Sequence, residues 1–167
     1  MMSPLERRRQ ARSRGAKALL DVNLLVALFD PMHIHHEVAH EWFGRNRSRG
    51  WATCPLTENG FVRVVSNPRY PGQGTNLRDA VARLAEIRQS EDHFFWQDSV
   101  SVCEGDHFHP TYIQGHRQLT DVYLLGLAVA NHGRLVTFDR NVPLRAVAGA
   151  EPQHLEILGA TPANGVR

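Results

Sequence analysis

Apolar and polar positions alternate in blocks along this chain, and their spacing predicts strands and helices in turn. Residues 17–22 (KALLDV) form a short apolar run ending beside an acid, as a buried strand would. Residues 23–29 follow as a short apolar helix stopped by Asp30-Pro31. Residues 33–45 carry Val38, Trp42 and Phe43 at helical spacing, and residues 50–54 (GWATC) read as a second strand. Pro55 suits the first turn of a helix that runs towards Ser66, before Asn67-Pro68 ends it. Beyond the turn-rich stretch at Pro71, Gly72 and Gly74, Asn76 opens an amphipathic helix with Leu77, Val81, Leu84 and Ile87 along one side. Residues 94–96 are a candidate third strand. Residues 119–131 form the most apolar helix, capped by Thr120 and ended by Gly133. Residues 134–138 (RLVTF) give a fourth strand that again leads into an acid, and residues 154–158 a fifth. This alternation predicts an α/β fold with a central, mostly parallel sheet of four to five strands flanked by helices.

A chain of 167 residues, 42% hydrophobic and 22% charged, suits one domain with its own core and fits neither a disordered nor a membrane class. The expected layout is a basic, flexible N-terminal tail over 1–16, one domain over 17–160 and a short tail over 161–167. No secretory signal precedes the first apolar run, and the apolar stretches are too short to span a bilayer, so a cytoplasmic protein is expected. Cys54 and Cys103 have no pairing or ligand-like spacing and read as small buried hydrophobes in a reducing compartment.

The net charge of +2 hides an asymmetry. Residues 1–17 hold Arg7, Arg8, Arg9, Arg12, Arg14 and Lys17 against Glu6, leaving a mildly acidic body. Two readings stand for this basic run: a solvated tail, including one that arises from an upstream start codon, or an arm on RNA phosphates.

Four acids carry the candidate chemistry. Asp21 follows Ala18-Leu19-Leu20 and Asp139 follows Leu135-Val136-Thr137-Phe138, so both stand at carboxyl ends of strands, where open α/β sheets bind ligands. Asp121 lies in the first turn of an apolar helix, and Glu58 one turn into the helix opened by Pro55. Each acid alone has a structural explanation, as a cap or as a charge favoured at a helix N-terminus. Together they say more. Asp21 and Asp121 adjoin the apolar runs VNLLVALF and VYLLGLAV, where a charge is costly unless paired or coordinated. The nearest basic residues, Arg63, Arg117 and Arg140, are not obvious partners. Carboxylates sharing a pocket raise one another's pKa unless a divalent cation neutralises them. All-oxygen ligands suit Mg2+ or Mn2+ rather than zinc.

LLDVNLL with Asp21 and Asn23, PLTENGFVRV with Glu58, GHRQLTDVYLLGLA with Asp121, and LVTFDRN with Thr137 and Asp139 occur in this order. The set resembles the PIN domain, and within it the VapC-type toxins of bacterial toxin–antitoxin pairs. The resemblance runs from Lys17 to the last strand. It implies an endoribonuclease in which Asp21, Asp121 and Asp139 hold one or two Mg2+ or Mn2+ ions, with Glu58 binding directly or through water. Asn23, Thr120 and Thr137 would orient carboxylates or waters, and Arg63, Arg117 and Arg140 would position RNA. It also implies an antitoxin of the VapB kind in the active-site groove and a homodimer packed through helices such as 61–65 and 77–87. The basic tail departs from the family, whose members begin close to the first strand. The non-catalytic alternative is a PIN-fold module that binds RNA or a partner without cutting.

A competing motif is present. His36-Glu37-Val38-Ala39-His40 matches HExxH, which on a helix aligns two imidazoles for zinc with the acid as general base. Its metzincin extension fails, because Phe43 and Asn46 stand where Gly and His are required. A zinc peptidase would need Glu58 as its third ligand, removing it from the acidic set. His33, His35, His36 and His40 read instead as a polar helix face near the groove mouth.

Overall fold

In the computed structural model, which describes residues 16–159, five apolar segments pair as one parallel sheet. They are Ala18–Leu20 (β1), Trp51–Thr53 (β2), His93–Phe95 (β3), Arg134–Thr137 (β4) and Leu155–Ile157 (β5). The order across the sheet is β3-β2-β1-β4-β5. Every predicted strand is present, trimmed at its ends, with β3 shifted by one residue towards the N-terminus. Residues 1–15 and 160–167, which include most of the basic run, lie outside the described residues.

The period of two along β1 sends Ala18 and Leu20 to one face and Leu19 to the other. The first face is covered by helices Val22–Phe29 (α1), His36–Asn46 (α2), Pro55–Val65 (α3) and Leu77–Ile87 (α4), which supply Leu24, Leu25, Trp42, Phe61 and Leu84. The second is covered by Leu119–Ala130 (α5), with Phe108, Trp96 and Val142. Leu124, Leu125 and Leu127 of α5 are fully buried, each contributing roughly 1.5–3 kcal/mol relative to exposure. The chain steps outward from β1 to β2 and β3, then returns to the other side of β1 as β4. Crossovers of one hand running in opposite directions put their helices on opposite faces. The reversal between β1 and β4 is the switch point where such sheets open a crevice at their carboxyl ends.

Several boundaries differ from the sequence pattern. The second helix begins at His36 rather than residue 33, because Asp30 Oδ1 accepts the Met32 amide at 2.8 Å and turns the chain. Thr120 does not cap α5. A 3-10 turn, His116–Gln118, runs directly into that helix, so Gln118 occupies the entry and Thr120 is already helical. At the other end His132, with φ 54°, takes the left-handed position. The Gly133 amide then bonds to Ala128 O and the His132 amide to Val129 O, closing a Schellman turn. Gly133 is required by crowding instead, since a Cβ there would stand 2.6 Å from the Lys17 carbonyl oxygen.

Cys54 is buried as expected, but Cys103 is exposed on a loop. Phe61 and Val65 are consumed by the core, so α3 does not offer them to a partner, whereas Leu77, Val81 and Ile87 of α4 are exposed. Among the described residues, no helix is long and apolar enough to cross a membrane.

Candidate active site

β1 ends where α1 begins, and Asp21 is the joint. Its Oδ1 accepts the Val22 amide at 2.6 Å as N-cap, and its Oδ2 accepts the Thr137 hydroxyl at 2.9 Å. Thr137 closes β4 and is fully buried, and its hydroxyl oxygen in turn accepts the Asp139 amide at 3.0 Å. Asp139 Oδ1 accepts the Asn141 amide at 2.7 Å, which turns the chain out of the sheet. One threonine thus locks two acids from neighbouring strands together across the switch point.

Asp121 joins them from the opposite layer, in the first turn of α5. Its pKa is pushed up to about 7, first by burial and then by the charges of Asp21 and Asp139, and a hydrogen bond with Asp139 favours its protonated form. Asp21 is raised as well. Burial dominates there, the bonds from Thr137 and Val22 oppose it, and Asp139 adds repulsion. Buried acids crowded against other carboxylates need a positive countercharge. The donors are all carboxylate oxygens, which in type fit a hard divalent ion. Among the described residues, no group of three or more His, Cys, Asp or Glu side chains is already arranged to hold a metal ion.

Glu58 is placed differently. Thr53 donates to its Oε1 at 2.6 Å, and Arg88 Nη1 donates to its Oε2 at 3.2 Å. Arg88 Nε lies 3.1 Å from Oε1, close enough for an ion pair but not aligned for a hydrogen bond. Arg88 also stacks over Phe95, with 4.8 Å from guanidinium to ring centroid. The Thr53 hydroxyl meets His93 Nε2 at 2.8 Å, and His93 is held neutral down to about pH 4, by burial first and by Arg88 second. The fourth acid therefore already has a cation, and it is not among the groups that raise Asp21 or Asp121. Nothing in the sequence pattern marked Arg88, which stands at the C-cap of α4 without a motif.

Among the other candidate residues, Thr137 hydrogen-bonds a carboxylate with its side chain. Asn23 and Thr120 are exposed, with no hydrogen bond to the acids among the described residues. Arg63 and Arg117 are exposed on α3 and on the turn before α5, and Arg140 donates to Gly159 O at 3.1 Å.

The HExxH pair has a structural occupation. His36 Nδ1 donates to Ala27 O at 2.7 Å and His40 Nε2 to Leu28 O at 2.8 Å, closing the last carbonyls of α1. Because a carbonyl only accepts, those nitrogens carry the protons. Glu37 is exposed. His35 instead stacks on Phe138 at 4.4 Å, one residue before Asp139.

Fold and site together define a doubly wound α/β protein with a three-aspartate centre at its switch point. No family model matches the chain. Curated relatives do. The chain is 46% identical over 142 residues to Ribonuclease VapC44 of Mycobacterium tuberculosis, covering 85% of this chain and 99% of that protein. It is 43% identical over 132 residues to Ribonuclease VapC39, covering 79% and 95%, and 49% identical over 125 residues to Ribonuclease VapC38, covering 75% and 86%; both are from the same organism. The chain belongs to the VapC family of PIN-domain ribonuclease toxins.

Proposed function

We propose that this chain is the toxin of a type II toxin–antitoxin pair and hydrolyses RNA phosphodiesters with Mg2+ or Mn2+ at the aspartate centre. The observation that carries the reading is the raised pKa of both Asp21 and Asp121, driven first by burial and then by their acidic neighbours, which a divalent ion would relieve. Asp21, Asp121 and Asp139 would hold one or two ions, with Glu58 at the margin. The chemistry such an ion supplies is charge neutralisation at the phosphate and a water acidic enough to attack it.

The chain's own groups do the rest. Thr137 fixes the Asp21 carboxylate and the Asp139 backbone in one register. Asp121, whose pKa is raised to about 7, would have to be deprotonated to hold such an ion. Arg88 holds Glu58 with its charge already balanced, so that this acid adds no further repulsion to the centre. Arg63, Arg117 and Arg140 position the RNA backbone.

The same reading carries a VapB-like antitoxin over the acidic groove, with a basic side chain among the aspartates, and a homodimer through the exposed Leu77, Val81 and Ile87 of α4. Its compartment is the cytoplasm, in keeping with two free cysteines. The test is induced expression followed by mapping of RNA 5′ ends across total RNA. New ends at discrete positions, absent for Asp21→Asn, support the proposal. Growth arrest without new ends would overturn it.

A further inference from the structure

The aspartate centre repels a polyanion, so its substrate must be held by other groups. Two loops flank the centre, residues 107–118 before α5 and residues 140–150 after Asp139. Neither contains an acid. They are zipped into one plate. His109 N bonds to Ala146 O, Ala148 N bonds to His107 O, and Phe108 bridges Val147 between them. Phe108 is buried against α5, where Gly126 leaves room for its ring. Gln118 fastens the plate to the centre: its Nε2 donates to Asn141 O at 2.9 Å, while its Oε1 accepts the Gln114 amide at 2.8 Å. Asn141 itself donates to Asp139. Through Asn141 the plate therefore stands in fixed register with Asp139.

The plate carries exposed cationic and aromatic side chains. Arg117 and Arg145 are exposed and form no ion pair among the described residues. His109 and His116 are exposed as well, and Tyr112 is 48% exposed, leaving its ring open to stacking. We infer that the 107–118/140–150 plate is the surface that docks a single-stranded RNA segment, with Arg117 and Arg145 on phosphates and Tyr112 stacked on a base. Charge complementarity selects a polyanion, and an open aromatic ring selects unpaired bases over a duplex. Preorganisation by Gln118 and Phe108 spares the ordering cost of a loose loop. The inference rests on the ribonuclease reading and extends it to the substrate-holding surface.

The test measures fluorescence anisotropy of a labelled RNA hairpin with an unpaired loop, titrated with the Asp21→Asn protein to keep the RNA intact. Adding Arg117→Ala and Arg145→Ala together should weaken binding about tenfold or more. The slope of log affinity against log salt should fall by about 0.7 for each lost phosphate contact. Tyr112→Ala should cost about tenfold with an unchanged salt slope, and Tyr112→Phe should restore it. Arg78→Ala, on the other face of the sheet, should change neither quantity. Unchanged affinity and slope for the double variant would overturn the inference, as would an equal loss from Arg78→Ala. So would plate variants that keep RNA binding and lose only an antitoxin peptide, which would make the plate a protein interface. If the wild-type protein cuts RNA while plate variants bind it normally, the inference alone fails. If wild type neither binds nor cuts, the ribonuclease reading fails with it.

Discussion

Thr137 donates its hydroxyl to Asp21 Oδ2 at 2.9 Å across the junction of β1 and β4, and the same oxygen receives the Asp139 amide. The first bond is buried and the second part-buried, and losing the buried one leaves a carboxylate oxygen without its donor. Thr137→Val keeps the shape and removes them. We expect a stability loss of about 1–2 kcal/mol by urea denaturation and a fall of roughly 10–100-fold in RNA cleavage. Thr137→Ser should recover most of both. Full activity in the Val variant would show that this bond does not hold the centre.

Asp121 ties proton binding to stability. In the unfolded chain it ionises near its ordinary value, whereas in the fold it keeps its proton up to about pH 7. The folded protein thus binds the extra proton between about pH 4 and 7, so metal-free stability should fall as pH rises through that window. Asp121→Asn should raise the metal-free Tm at pH 8 by roughly 3–8 °C and change it little at pH 4. An unchanged Tm at pH 8 would mean that the carboxylate is not strained.

Asp30 is the opposite case. It is fully buried, yet its pKa is lowered, because Tyr70 OH donates at 2.7 Å and the Met32 and Gln73 amides at 2.8 and 3.3 Å outweigh burial, helped by His33. Its contribution is full above the ordinary aspartate range and is lost as pH falls through its folded pKa. Asp30→Asn should therefore cost about 1–3 kcal/mol at pH 7, with the difference from wild type shrinking in acid. The pair Asp30 and Asp121 separates a carboxylate that builds the fold from one that burdens it. Denaturation curves at two pH values distinguish them.

Arg88→Ala would leave the half-buried Glu58 carboxylate without its cation. A loss of about 1–3 kcal/mol is expected, and Arg88→Lys should recover only part, since a lysine cannot both fork onto Glu58 and stack on Phe95. If Glu58→Gln combined with Arg88→Ala is no more stable than Arg88→Ala alone, the pair is not coupled.

The elements were legible in the sequence because the strands are short apolar runs, and three of the helices have a distinct stop at Asp30-Pro31, Asn67-Pro68 or Gly133. Asp21 and Asp139 were legible for the same reason, since strand ends in a parallel sheet converge. What could not be read were relationships made by side chains far apart in the chain. Arg88 reaches Glu58 from a helix end with no motif, and Gln118 reaches Asn141 from a 3-10 turn that displaces Thr120 from its expected cap. The HExxH match was misleading because two histidines one turn apart suit a helix terminus as well as a metal. Asp30 was legible only as a helix stop, since two of its donors, Tyr70 and Gln73, lie 40 and 43 residues downstream.

The most direct test of the aspartate centre is cleavage of purified RNA by wild type and by Asp121→Asn, each titrated with Mg2+ or Mn2+ at several pH values. The account predicts no cutting in EDTA, restored cutting with either ion, an ion requirement that eases as pH rises through about 7, and a loss on the order of 10²–10³ in the variant. Cutting in EDTA, or an Asp121→Asn protein as active as wild type, would contradict it, and RNA bound but never cut under any divalent ion would make the chain a binding module.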